Sequence, residues 1–136
     1  MPQQLPYIPR SRRAFTLIEI IVILVIIGLM LLIVVPHYLI EFKAKKAARV
    51  KADLVALNAA IEQYALENGK VSGDPVDFDS LRKYLDQNSD AYRTGGKDAF
   101  GDTYGPFIVG SRPPVPSRTE DDLSSTVPPE FWSPFQ

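Results

Sequence analysis

Apolar residues run from Phe15 to Val35, and only Thr16 and Glu19 interrupt the run. At 21 residues, its length matches the roughly 20 residues that a helix needs to cross the hydrocarbon core of a bilayer. The many Ile and Val side chains would also suit a buried strand, but strands usually end after about 4 to 8 residues. The length therefore predicts a membrane-spanning helix.

Glu19 is the one ionisable residue in this run. A carboxylate at the centre of a bilayer costs on the order of 3 kcal/mol and less near the interface, so it is treated as a functional residue whose partner must be found. Because Glu19 lies about one turn from the start of the run, its side chain can also extend toward water. That explains why the carboxylate is tolerated there, but it does not assign a function to it.

A second pattern begins after Pro36, where a missing backbone N–H predicts a helix kink. Apolar residues recur at steps of three and four, which predicts an amphipathic helix ending near Asn68 and Gly69. Asp53 and Glu67 are assigned to its charged faces. The apolar stripe packs on a domain or, as the alternative, forms a coiled-coil seam. Its members are Ala47, Val50, Leu54, Leu57, Ile61 and Tyr64.

The rest of the chain, residues 70–136, is rich in turn-forming residues. Asp74-Pro75 predicts a turn, residues 77–85 a short helix with acids in its first turn, and residues 87–96 a polar loop. Residues 107–109 are a short β-prone run. This region therefore predicts a small mixed domain that covers the apolar stripe.

The C-terminal tail carries seven prolines in the last 31 residues. So many prolines exclude a central strand or a long helix and predict an irregular wrap. Three aromatic side chains near the end either anchor the tail on the domain, which we expect, or form an exposed terminus. They are Phe131, Trp132 and Phe135.

Charge and composition narrow the function classes. The chain has 15 basic and 16 acidic residues, one histidine and no cysteine. Without a basic surplus, nucleic-acid binding is not expected. Neither a disulfide nor a zinc site built from cysteine or two histidines can form, and His37 lies at the predicted membrane edge. No convergent set of polar residues predicts an active site, so we expect no enzymatic activity.

The start of the apolar run resembles the signal of type IV pilins and type II secretion pseudopilins. Those proteins carry a short basic leader, a small residue at the cut and then Phe-Thr-Leu-Ile-Glu. Here Arg12 and Arg13 precede Ala14, and Phe15–Glu19 matches all five positions. Pro36 is the 22nd residue from Phe15, where many members carry a helix-bending proline. Members nearly always have Gly before the cut, so Ala14 predicts slower cleavage.

The resemblance implies a processing and assembly route. Prepilin peptidase would cut between Ala14 and Phe15 and methylate the new amine of Phe15. Before assembly the subunit would span the inner membrane once, with its C-terminal domain in the periplasm. With minor pilins and an inner-membrane assembly platform, it would then form a helical homo-oligomer. That filament is a periplasmic pseudopilus for protein transport or a cell-surface pilus, in which Glu19 pairs with the amino terminus of a neighbouring copy.

Taken together, these patterns and the resemblance predict an α+β protein. A long kinked N-terminal helix, transmembrane in its first half and amphipathic in its second, packs on a small C-terminal domain with a short helix, few short strands and a Pro-rich tail. The predicted divisions are a removed leader (1–14), a transmembrane and filament-core helix (15–36), an amphipathic half (37–69) and a small exported domain (70–136).

A looser resemblance covers the segment around Gly101, which also reads as a turn. It is similar to the Asp-Pro-Trp-Gly-Asn-Pro-Tyr segment of major pseudopilins, to which Asp98, Gly101 and Tyr104 align. The same resemblance implies a possible calcium site in a C-terminal loop, for which Asp121 and Asp122 are the candidates because Ca²⁺ prefers carboxylate oxygens. The family's Ser-x-Gly-x-Asp-Gly loop pattern is absent, and a solvated loop is the alternative. No other cofactor is expected.

Other interpretations stay open at this point. The chain could be an uncut single-pass anchor that carries a small binding domain, or a minor pilin of DNA uptake. An ordinary secretory signal is disfavoured because bulky residues follow the apolar run. Five basic residues between Lys43 and Lys51 outnumber the leader arginines, so the positive-inside rule would keep that flank in the cytoplasm. The resemblance implies the opposite orientation.

Overall fold

The structure, a computed structural model, describes residues 2–4, 6 and 14–135. It divides into two compact units, residues 1–37 and residues 38–136. Arg12 and Arg13, the predicted leader charges, lie outside the described residues.

One helix, α1, runs from Leu17 to Asn68 over 52 residues. Its N-terminal part is apolar on every face, and none of the residues in its most apolar stretch is buried. By length and composition, it is the one helix in the described part of the chain that could cross a membrane. The predicted apolar helix is confirmed. Pro36 lies inside α1, and the kink there stays a prediction.

The amphipathic half of α1 forms one side of the hydrophobic core of the second unit. Side chains from the C-terminal region cover its apolar stripe, so the stripe packs on its own domain and is not the seam of a coiled coil. Asp53 is also buried, at 4% exposure, and its assignment to a solvent face was wrong. Tyr64 is partly buried against the core. The fully covered stripe residues are Ala47, Val50, Leu54, Leu57 and Ile61.

Two short strands form the sheet. Strand β1 (Pro75–Val76) pairs antiparallel with β2 (Phe107–Ile108), with Val76 opposite Phe107. The strand predicted from the β-prone run at residues 107–109 is confirmed. The turn predicted at Asp74-Pro75 lies earlier, since the Asp74 N–H closes it on the Val71 carbonyl. Pro75 can open a strand because the first residue of a strand tolerates the missing N–H.

Short helices complete the domain. Helix α2 (Phe78–Leu81) continues into a 3₁₀ turn at Arg82–Tyr84, which confirms the predicted short helix. Helix α3 (Asp90–Thr94) lies within residues 87–96, so the prediction of a polar loop is wrong for these five residues. The Ser89 side chain caps α3 by accepting a hydrogen bond from the Tyr92 N–H, and Gly95 ends it with a φ of 71°. Five residues are too few for a hydrophobic period to be detected.

The C-terminal tail is more regular than its prolines predict. Helix α4 (Ser117–Leu123) lies between Pro116 and Pro128, and a 3₁₀ turn (Pro129–Trp132) begins at a proline, so the irregular wrap is wrong over these residues. Trp132 is 1% exposed and Phe135 5% exposed, which confirms that aromatic side chains pack the tail on the domain. The ammonium group of Lys51 donates a 2.7 Å hydrogen bond to the Phe131 carbonyl.

Candidate assembly site

The predicted cleavage site lies in an exposed, irregular segment directly before α1. Ala14, Phe15 and Thr16 have no regular structure, and the Phe15 side chain is 69% exposed. An extended, accessible segment is what a protease needs, because a helical peptide bond is held by its own hydrogen bonds. The geometry is compatible with a cut between Ala14 and Phe15, which stays a prediction.

Thr16 and Glu19 begin the helix together. The Glu19 N–H donates to the Thr16 hydroxyl oxygen at 3.3 Å, and the Ile20 N–H donates to the Thr16 carbonyl at 3.2 Å. Thr16 is therefore an N-cap, three residues before an acid, which is the spacing of a capping box. A carboxylate in the first turn also interacts favourably with the positive end of the helix dipole. Within one subunit, both residues define where α1 begins.

A tight turn at residues 97–103 holds the segment that resembles major pseudopilins. Lys97 and Thr103 form an antiparallel bridge. One carboxylate oxygen of Asp98 accepts hydrogen bonds from the backbone N–H groups of Phe100 and Asp102 at 2.8 and 2.9 Å. Gly101 takes a φ of 90° at the tip, which L side chains rarely adopt. The prediction of a turn here is confirmed.

The turn is tied to the helices on both sides. The other Asp98 oxygen accepts a hydrogen bond from the Thr119 hydroxyl of α4, which also lies 3.0 Å from a carboxylate oxygen of Asp102. The Tyr104 hydroxyl donates a 3.0 Å hydrogen bond to the carboxylate of Asp53, which lies on α1. Burial raises the pKa of the Asp53 carboxyl, while the hydrogen bond from Tyr104 opposes the rise. Burial, and secondly the charge of Asp53, raise the pKa of Tyr104.

These contacts give structural roles to the three residues that align with the pseudopilin segment. Asp98 holds the turn, Gly101 permits it, and Tyr104 fastens it to α1. Sequence patterns did not identify their partners Asp53 and Thr119. Asp53 could have been found, because it lies three residues after one stripe residue and four before another. Thr119 carries no such local signal.

The calcium candidates Asp121 and Asp122 lie exposed on α4. Both precede Leu123, the buried end of that helix. Within the described residues, no group of three or more His, Cys, Asp and Glu side chains is arranged to hold a metal ion. Asp121 and Asp122 are therefore not part of such a group, and a calcium site stays a prediction.

Comparison with known proteins gives the family. Residues 9–35 match the profile of the prokaryotic N-terminal methylation motif. The type II secretion system core protein G of Vibrio cholerae is 30% identical over 102 residues, which are 70% of this chain and 70% of that protein. The chain belongs to the pseudopilin family of type II secretion system core protein G.

Other members of this pseudopilin family match to different extents. Core protein G of Aeromonas hydrophila is 28% identical over 103 residues, 70% of this chain and 72% of that protein. Core protein G of Klebsiella michiganensis is 38% identical over 61 residues, 45% of this chain, and the match spans only 43% of that relative's length. No solved structure gives a significant match. The pseudopilin family is structural and is not a family of enzymes.

Proposed function

We propose that this chain is a structural subunit of a type II secretion pseudopilus, cut by prepilin peptidase and methylated on Phe15 before it assembles. One observation carries the proposal. A methylation motif at residues 9–35 coincides with a membrane-length helix whose side chains are all exposed. The family supports the assignment to type II secretion over a surface pilus or a pilin of DNA uptake.

The exposed apolar helix gives the filament its driving force. Between Phe15 and Val35 every residue is exposed, and the large apolar side chains are 41% to 78% exposed. Lipid tails cover such a surface while the helix spans a bilayer. Once the subunit leaves the membrane, water would meet the same surface, at a cost of about 25 cal/mol per Å². Packing against the same helix of other copies avoids that cost.

Glu19 then links neighbouring copies. Burying its carboxylate among apolar helices costs several kcal/mol unless a positive group pairs with it. Cleavage before Phe15 creates such a group, because it frees an α-amine at the start of the apolar run. We assign the amine of a neighbouring copy as the partner, so an uncut subunit lacks the α-amine on Phe15 that this pairing needs. In the single subunit, the Thr16 hydroxyl accepts a hydrogen bond from the backbone N–H of Glu19, which lies in the first turn of its own helix.

This function implies a location and a set of partners. The subunit spans the inner membrane once, with residues 38–136 in the periplasm, and it enters a periplasmic filament. Prepilin peptidase, an inner-membrane assembly platform and minor pseudopilins are the partners of that route. A calcium ion bound by Asp121 and Asp122 has less support, because both side chains are exposed and the described residues contain no group of three or more His, Cys, Asp and Glu side chains arranged to hold a metal ion.

The amino terminus of the mature protein tests this function. The full chain is expressed with its secretion genes and extracted from membranes, and its N-terminal peptide is sequenced by mass spectrometry. We expect a peptide that begins at N-methylated Phe15. Deletion of the peptidase gene is the control and should restore Met1. An intact Met1 in the presence of active peptidase would favour an uncut membrane anchor and contradict the proposal.

A further inference from the structure

A band of cations follows the membrane-length segment. Between Ile20 and Ala52 the sequence has one acid, Glu41, against five basic residues, whereas residues 52–136 hold seven basic and fourteen acidic residues. The positive charge of the mature chain is therefore concentrated at one end of the second unit. We name these residues the basic band: Lys43, Lys45, Lys46, Arg49 and Lys51.

The members of the basic band differ in what they contact. Lys51 is held by the carbonyl of Phe131. Lys46 is partly buried, with its ammonium 5.0 Å from the centre of the Phe100 ring. Lys43, Lys45 and Arg49 are exposed. Lys51 and Lys46 therefore take part in packing the domain, and the other three present their charges to the surroundings.

Exposed apolar side chains adjoin these cations in the same unit. Tyr38 is 68% exposed, Leu39 53%, Ile40 57% and Phe42 48%. Aromatic residues followed by lysine and arginine are typical of the boundary between membrane and water, where rings lie at headgroup level and cations reach the phosphates. Lys43 follows this apolar group directly.

We propose that Lys43, Lys45 and Arg49 bind the headgroups of anionic phospholipids at the surface where α1 leaves the membrane. The inference rests on the membrane insertion contained in the proposed function. Each basic side chain near an anionic surface strengthens binding by about five-fold at low salt. Chain connectivity helps, since Lys43 is eight residues after Val35, which limits their separation to about 29 Å even in an extended chain.

The acidic surface of a second copy is the competing partner for this band. Lipid is favoured because the cations are continuous with the exposed apolar group and because the membrane is tethered to them by the same chain. Headgroup binding would hold the domain close to the membrane until assembly. As the subunit enters the filament, the cations of the basic band would leave the lipid phosphates and would contact water or another copy instead.

The test uses the single tryptophan, Trp132, as an energy donor to dansyl-labelled headgroups. The full chain is reconstituted at low protein density in phosphatidylcholine liposomes, with or without one part in three of phosphatidylglycerol. We expect transfer to be higher on the anionic liposomes and to fall to the neutral value in high salt, which shortens the screening length to a few Å. Flotation in alkaline carbonate first establishes insertion.

Two triple variants make the test specific. Lys43→Gln/Lys45→Gln/Arg49→Gln should give equal transfer on both liposomes. A matched control, Lys70→Gln/Lys97→Gln/Arg112→Gln, removes three exposed cations outside the band and should behave as wild type.

The outcomes separate this inference from the proposed function. Equal transfer by the wild type on both liposomes, or a band variant that keeps the anionic increase, overturns headgroup binding alone. An increase that follows protein density in both lipids assigns the band to a second copy and also overturns it. Failure of the wild type to float overturns the membrane insertion on which both proposals rest.

Discussion

Asp53 is an acidic residue on the apolar face of α1, and it is nearly inaccessible to water. Within the described residues, no buried side-chain nitrogen or oxygen lacks a hydrogen-bond partner. For Asp53 that partner is Tyr104, at 3.0 Å. A buried carboxylate without a donor would cost about 1–3 kcal/mol or more. The pair therefore makes a polar group tolerable in the core and fixes the position of the turn on α1.

Asp53 should make stability depend on pH. Burial raises its folded pKa above the unfolded value of 3.8, so the folded state binds more protons between the two values. The free energy of unfolding then falls as pH rises from about 3.8 through the folded pKa, and levels off above it. We expect the free energy of unfolding of the Asp53→Asn variant to fall less steeply with pH over that window. Urea titrations followed by Trp132 fluorescence at several pH values measure both slopes.

The control for this measurement is Glu62→Gln, which changes an exposed acid on the same helix. Its slope should equal that of the wild type. If Asp53→Asn and wild type have parallel pH profiles throughout the window, the carboxyl of Asp53 does not titrate with a raised pKa in the folded protein.

At the scale of elements, α1 combines two kinds of surface in one helix. Its first part is apolar all round and needs lipid or other helices as a surrounding. Its second part has one apolar stripe, which the domain covers. The remaining elements are too short to be stable alone, since helices below about 12 residues rarely form in isolation. Their stability therefore depends on packing against α1.

Substitution of a stripe residue tests this dependence. Leu54 is fully buried, whereas its neighbour Val55 is 54% exposed. Leu54→Ala should lower the free energy of unfolding of the domain by about 2–5 kcal/mol, because it removes packed atoms and leaves a cavity. Val55→Ala should change it by about 0.5 kcal/mol or less. Denaturant titration with Trp132 fluorescence gives both values, and equal effects would show that the stripe is not the main core surface.

The whole molecule consists of two units with different surfaces. Residues 1–37 carry the motif and the apolar segment, and residues 38–136 form the packed domain. In the proposed function the two units bury their surfaces against different surroundings, so a change in the first should affect assembly and leave the domain folded. A change in the core of the second should act in the opposite way.

Glu19→Ala should separate insertion from assembly. The variant loses only a carboxylate near the start of an apolar helix, so it should insert and be cut as the wild type is. Filament formation should fail, since removal of one partner of a buried ion pair costs about 3–5 kcal/mol at each contact between copies. The measurements are the carbonate-resistant membrane fraction, the N-terminal peptide and the yield of sheared filaments.

The matched control for Glu19→Ala is Glu62→Ala, which removes an exposed acid from the amphipathic half of the same helix. It should assemble at the wild-type yield. Filaments of Glu19→Ala at that yield would remove Glu19 from the assembly mechanism and leave the membrane helix as its only basis.

The sequence by itself determined the features that depend on neighbouring residues. The length of the apolar run, the steps of three and four along the stripe, and the turn around Gly101 are local patterns, and the structure has all three. The motif at Phe15–Glu19 is local as well, and it lies within the match to the prokaryotic N-terminal methylation motif. Local patterns suffice here because backbone geometry and solvent preference act over only a few residues.

Only the tertiary structure decided which distant residues meet. The contact of Asp53 with Tyr104, the contact of Thr119 with Asp98, and the pairing of Val76 with Phe107 join residues that are 21 to 51 positions apart. Short helices such as α3 likewise form because the packed domain holds them. Such contacts depend on the free energy of the whole core, which no short window of sequence contains.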